Sequence, residues 1–403
     1  MYIHPTLFDS IDQAIVFAKQ IARKLPESTL IGELPSIFRS EFLKNPYSGF
    51  ENNAPDDRFI VCRLASKRFS LKPNLRGHRF LYRGQTKYYK DCAPSVFRNR
   101  EQDYFIEEMV RGGEQQLLML SHPLVRLLDH GIELSGHRFI FEMNLYGLTQ
   151  HYYNKTNFID LTSDILVSAF FATNKYDSSS DSYVPMSEGI GCLYLYELKE
   201  DIDFKFTPLS TIGLQVFPRS SVQRGFLYRM EKDQNFNDVG PLRILKFKHR
   251  RNVSEKYYKM FDGGQKLFPN DILTHHWLVY NKNPKVISRV ATRFNAHWNR
   301  HLLETEEGVA AKLVTRGFTI KDYNPSFTAE ELHKYYFSKH DFWDGFCAKI
   351  YFPGGVNEEF HRQLADIKNR PEYRWAFDED TFRKTDLSKM NGYLYDKYRS
   401  VLN

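Results

Sequence analysis

Hydrophobic periodicity changes character once along the 403-residue chain, near Asn281 to Lys285. Before that point, short β-favouring runs alternate with helical stretches and polar turns. IGCLYLYEL, Ile190 to Leu198, alternates like a strand and is rich in residues that suit a pleated surface. After it, ISRVATRFNAHWNRHLLETEEGVAAKL and the tail to Asn403 repeat at helical spacing, with Tyr, Phe and Trp anchors. The pattern predicts an α+β fold with two parts: a mixed α/β region to about residue 280, and a helical region over residues 285–403.

Within the first part the expected elements are these. Asp9 or Ser10 caps a helix whose apolar face is Ile11, Ala14, Ile15, Ala18, Ile21 and Leu25, and Pro26 ends it. A turn-rich loop spans Ser48 to Asp57, and RFIVCRL, Arg58 to Leu64, is a strand. The strand HRFLYRGQ ends on Gln85, while Gln102 to Leu120 and the twenty residues after it look helical. FIDLTSDILVSAFFATNKY is a strand end, a turn capped by Thr162 or Ser163, and an apolar core helix. Asp177 to Gly189 is a polar excursion, and PRSSVQRGFLYRM and PLRILKF read as short strands. PSIFRS at Pro35 echoes PSVFRN at Pro94, but two hits without a fixed period make no repeat architecture.

Composition narrows the chemistry. A formal charge of +7 suits an anionic partner, yet equally describes a solvated surface with a slight basic excess. The 33 Phe and 25 Tyr are mostly core, and leave rings to spare for a flat ligand. Cys62, Cys92, Cys192 and Cys347 stand far apart, which fits a reducing compartment and neither a zinc ribbon nor a disulfide framework. No window approaches a membrane span and MYIHPTLFDSIDQ lacks the features of a signal peptide, so a cytoplasmic protein without membrane contact is expected. Phosphate-loop, dinucleotide-fold and nucleophile-elbow motifs are missing. HWNRH sets His297 and His301 one helical turn apart without a third ligand, which reads as a solvated helix face; no metal is expected.

Three separated segments carry the functional signal: YRGQTKYYKDCAPSVFR (Tyr82 to Arg98), MNLYGLTQHYYNKTNFIDLTSDILVSAFFATN (Met143 to Asn174) and FPRSSVQRGFLY (Phe217 to Tyr228). Tyr82-Arg83-Gly84-Gln85 with Pro94, Ser95, Phe97 and Arg98 opens the series. Gln150-His151-Tyr152, Thr156, Asp160, Thr162 and the Ala169, Phe171, Ala172 helix follow. Pro218, Arg219, Gln223, Gly225 and Phe226 come next, and Leu267-Phe268-Pro269 with Asp271 closes it. In this order the chain resembles the FRG domain family over about residues 75 to 280, which implies a domain over residues 71–280 with residues 1–70 as a helix-and-strand extension that packs on its core. More distantly, the same order is similar to ADP-ribosyltransferase folds. That resemblance implies a split mixed β-sheet with flanking helices and a cleft that takes NAD or a related nucleotide as substrate.

Cleaving the nicotinamide–ribose bond passes through an oxocarbenium-like sugar. The resemblance therefore implies an arginine anchor on phosphate or ribose oxygens, an aromatic wall for nicotinamide, and a carboxylate near the ribose. Arg83, His151 and Gln223 are the implied catalytic positions. Arg83, Gly84, Gln85, Tyr152 (or Tyr153), Thr162 and Ser163 are the implied nucleotide contacts. The acceptor would be a protein or a nucleic acid. Gln223 stands where a transferase carries glutamate, and an amide is neither base nor counter-charge. Glu197 and Glu231 lie nearby in sequence without a motif to bring them in. A second expectation is therefore a module that holds a nucleotide or nucleic acid without turnover. Each residue also has a bland reading. Arg83 is a salt-bridge partner, Gly84 a backbone device, and Gln85 and Gln150 are turn amides; His151 is a core histidine and Asp160 a capping carboxylate. Arg98 and Arg219 either hold phosphate or bridge to Asp160 and Asp271.

Overall fold

A computed structural model describes residues 7–24, 54–75, 78–98, 102–198, 207–280, 285–298 and 305–402. Leu25 and Pro26, the PSIFRS segment, residues 48–53 of the turn-rich loop, residues 281–284 and His301 lie outside the described residues.

The chain is α+β. Its centre is a six-stranded sheet in the order β10-β11-β6-β3-β9-β12. The strands are β3 (Phe80–Gln85), β6 (Phe158–Thr162), β9 (Ile190–Glu197), β10 (Leu209–Thr211), β11 (Gly225–Arg229) and β12 (Leu242–Lys248). Every neighbouring pair runs antiparallel. A mixed sheet was expected; among the described residues, parallel strand pairs form in small sheets elsewhere, and the parallel contact at this sheet is a lone bridge of Phe8 to Phe247 in β12. The reason is connectivity: no helix carries one strand of this sheet across to a parallel neighbour, as a βαβ unit would.

Alternation along β9 builds two cores. Leu193 and Leu195 face the buried side of the N-terminal helix Ile11–Lys24, together with Phe80, Tyr82 and Phe247. Cys192, Tyr194 and Tyr196 face the opposite way, beside Leu81, Ile159, Leu161 and Phe236. The N-terminal helix docks through Ile11, Ala14, Ile15 and Ala18, all buried. Its start is fixed locally: Ser10 Oγ faces the Gln13 N–H at 3.5 Å, and the Gln13 side chain accepts from the Asp9 N–H at 3.0 Å.

A third and larger core lies off the sheet. It joins β1 (Phe59–Arg63) and β2 (Phe69–Pro73), the helices Gln102–Leu120 and Pro123–His130, and the helical C-terminal region. β1 is the middle strand of a three-stranded sheet and pairs in parallel with β15 (Ile350–Tyr351).

Local readings are corrected at four places. The helical pattern after Leu120 stops at His130, and Ile132–Leu134 and His137–Phe139 form a hairpin, β4 and β5. Ser135 (φ 48°) and Gly136 (φ 74°) give it two left-handed central residues, the twist a tight hairpin needs. The polar excursion is in part a hairpin, Asn174–Asp177 with Ser182–Pro185, β7 and β8. PRSSV is a helical turn, Arg219–Val222, because the Ser221 hydroxyl bonds back to the Pro218 carbonyl at 2.8 Å. Asp164, not Thr162 or Ser163, caps the apolar helix Ile165–Thr173, accepting from the Leu166 N–H at 2.8 Å.

Candidate functional site

β3 and β6 are joined by a single residue pair, Tyr82 with Thr162, and then part. A cleft of about 490 Å³ opens there, walled by both strands and by the Ile165–Thr173 helix. Gly84 sets how close that helix comes. A Cβ at this position would stand 1.8 Å from the Ser168 carbonyl oxygen and 2.6 Å from the Ala172 nitrogen, so only glycine lets helix and strand meet.

Arg83 spans the gap between the strands. Its Nη1 donates to the Asp160 carbonyl at 3.0 Å, in place of a ladder bond, while its Nε is buried without a partner. His151 ends the helix Leu145–His151 and is buried. Its ring lies against Gly225, where a Cβ would be 3.4 Å from both Cε1 and Nε2. Burial lowers the His151 pKa, with Asp160 and the Gln223 side chain pulling it back up. The ring is therefore neutral near pH 7, with Nε2 unpartnered. Asp160 lines the same cleft, and its Oδ1 is likewise buried and unpartnered. Asn174 adds a fourth such atom, Oδ1. Buried polar atoms in native proteins are nearly always paired. Four unpaired ones around one cavity are what a polar ligand would satisfy.

Gln223 also reaches the cleft, but its side-chain donor and its backbone carbonyl are committed. Nε2 donates to the Leu267 carbonyl at 2.9 Å, and the backbone carbonyl accepts from Thr162 Oγ1 at 2.7 Å. Thr162 lines the cleft with its hydroxyl already used, since Oγ1 accepts from the Asp164 N–H at 3.0 Å as well. Gln85 lines it too, between the thiols of Cys92 and Cys192. Glu197 and Glu231 do not line it; they pair with Arg243 and Arg229.

Two expected contacts fall elsewhere. The Tyr152 hydroxyl donates to Asp271, whose carboxylate also caps the next helix through the Thr274 N–H at 2.9 Å, so the ring is captured away from the cleft. Ser163 is buried beside the Arg224 carbonyl and does not line the cavity. The aromatic wall comes instead from Tyr89, Phe171, Tyr176 and Tyr183, with Phe268 packed behind Phe171 and Tyr183. Arg219 is buried under Tyr152, holding the His151 carbonyl at 3.0 Å and Thr274 Oγ1 at 2.8 Å. It fixes the histidine from behind. Arg98 lines the cleft and donates Nε to the Ala93 carbonyl at 3.1 Å; burial, then the nearby Arg83 charge, lower its pKa.

The cleft thus gathers Arg83, Arg98 and Lys175 against one lining carboxylate among the described residues, Asp160. Such a balance draws an anion, and the tyrosines offer it a face to stack on. Asp160 lines the cleft rather than capping a helix. Its signal was available: two residues before Thr162 on a strand, it must share that residue's face.

Residues 78–181 match a family model, described as the FRG domain. The matched stretch takes in Arg83, His151 and Asp160 and stops before Gln223. No curated protein and no solved structure matches the chain.

Proposed function

In a chain that carries an FRG domain, we propose that the cleft between β3 and β6 binds NAD or a related nucleotide, and cleaves it or passes its ADP-ribose to a protein or nucleic acid. The observation that carries this reading is the ring of unpaired buried atoms, Arg83 Nε, His151 Nε2 and Asp160 Oδ1, around one cationic, tyrosine-walled cavity. The opening of the sheet at Tyr82–Thr162 is read here as an ADP-ribosyltransferase-like split.

In this reading Arg83 and Arg98 hold phosphate or ribose oxygens, and Tyr89 or Phe171 faces the nicotinamide. The bond from ribose C1′ to the nicotinamide nitrogen breaks, and its electron pair quenches the pyridinium charge. Asp160, not Gln223, supplies the negative charge beside the cationic sugar. Water or the acceptor's nucleophilic atom forms the new bond to C1′ and gives its proton to the neutral His151. A bacterial toxin, effector or phage-defence protein in the cytoplasm is the setting such chemistry suits. The held Gln223 amide favours a second reading, in which the cleft grips a nucleotide without turnover.

Nicotinamide release by the purified full chain decides between them. Turnover in the wild type, lost at least a hundredfold in Asp160→Asn and Arg83→Ala while thermal unfolding is retained, supports the enzyme. Absent turnover, with ADP-ribose binding that Arg83→Ala abolishes, supports the holding module. Neither turnover nor nucleotide binding would refute both.

A further inference from the structure

A second cavity, of about 420 Å³, lies across the wall from the cleft. Leu118, Leu273, Trp277 and Pro325 make its apolar sides, and Gln115 and Lys321 bring polar groups to it. Gln115 Nε2 donates to the Tyr152 carbonyl at 3.1 Å, which leaves Gln115 Oε1 buried without a partner. Lys321 is exposed and forms no ion pair among the described residues.

Three consecutive residues separate the two cavities. His151 lines the cleft and Tyr152 lines the second cavity. Tyr153 stacks on Trp277, with centroids 5.7 Å apart and planes at 20°. Tyr153 holds a left-handed backbone (φ 72°), which a tyrosine adopts only when its surroundings enforce it. Whatever presses on Trp277 or on Gln115 therefore bears on Tyr153 and on the peptide unit between Tyr152 and Tyr153, one residue on from His151.

We propose that this second cavity is a separate ligand site for a small flat aromatic acid, linked to the cleft through residues 151–153. The ring packs against Trp277, the acid meets Lys321, and an N–H or O–H of the ligand satisfies Gln115 Oε1. A volume of this size suits such a molecule. Nothing in this depends on what the cleft binds.

Anilinonaphthalene sulfonate has all three features, a flat ring system, one N–H and an acid, and is the probe. Titration of the full chain should give saturable fluorescence with one probe per chain. Ser326→Trp, an exposed residue of the cavity wall whose larger ring blocks the opening, should weaken binding tenfold or more, and so should Lys321→Glu, both with an unchanged unfolding midpoint. Arg83→Ala should leave the affinity within twofold. Amide exchange of residues 148–154 should slow at least threefold on probe binding to wild type and not to Ser326→Trp. Binding that ignores Ser326→Trp and Lys321→Glu, or that disappears in Arg83→Ala, overturns the site. Unaltered exchange at 148–154 overturns the link.

Discussion

Arg83 is tied at Nη1 and open at Nε, and Asn174 is tied at Nδ2 and open at Oδ1. The tied half explains why these residues keep their places without a ligand; the open half explains what a ligand would gain. Gln223 differs, because both its side-chain donor and its backbone carbonyl are already engaged. Restoring the glutamate that a transferase motif carries would set a carboxylate against the Leu267 carbonyl oxygen in a buried position. Gln223→Glu should therefore cost roughly 1–3 kcal/mol of stability and raise nicotinamide release not at all. Chemical denaturation and a turnover assay check the two halves. A Gln223→Glu chain that is stable and faster would move the catalytic carboxylate from Asp160 to position 223.

Elements show where the sequence was readable and where it was not. The β9 strand was legible because alternation and β-favouring residues agree over its whole length. The joining of Arg83, His151 and Gln223 was legible from the order of three motifs. The β4–β5 hairpin was not, since its charged and apolar residues fit helical spacing equally well; only the Ser135–Gly136 pair marks the turn. Tyr152 was misjudged because its partner, Asp271, lies 119 residues away in sequence. Likewise nothing local reveals His122. It caps the Pro123–His130 helix, with Nδ1 accepting from the Leu124 N–H at 3.2 Å, inside a nest of Phe217, Phe327 and Tyr336. Burial pushes its pKa down to about 3. The unfolded chain takes up a proton near pH 6.5 and the folded one does not, so stability falls as pH drops from about 6.5 toward 3. His122→Asn keeps an acceptor for the cap and cannot titrate. Between pH 6 and 4 the wild type should lose up to about 1.4 kcal/mol per pH unit more than this variant. Urea titrations at several pH values measure the difference, and parallel slopes would count against a neutral buried His122.

At the scale of the molecule, one core reaches from Phe59 to Tyr398 and takes in helices on both sides of the periodicity change. A fragment ending at Tyr280 would strip the cover from Leu118, Phe139 and Phe217, all fully or nearly fully buried. It should be recovered as aggregate, or show no cooperative unfolding transition by calorimetry, whereas the full chain unfolds cooperatively. A soluble, cooperatively folded fragment would show that the C-terminal region only decorates the core. The pairing of β1 with β15 sets the same dependence on a clock. Phe59 meets Ile350 across the sheet. During synthesis, at about 5–20 residues per second, β1 leaves the ribosome roughly 15–60 s before its partner. For that interval FIVCR offers an apolar edge to any passing strand. The protein's period of greatest exposure to misassembly therefore falls during its own translation, before the last part of the chain has been made.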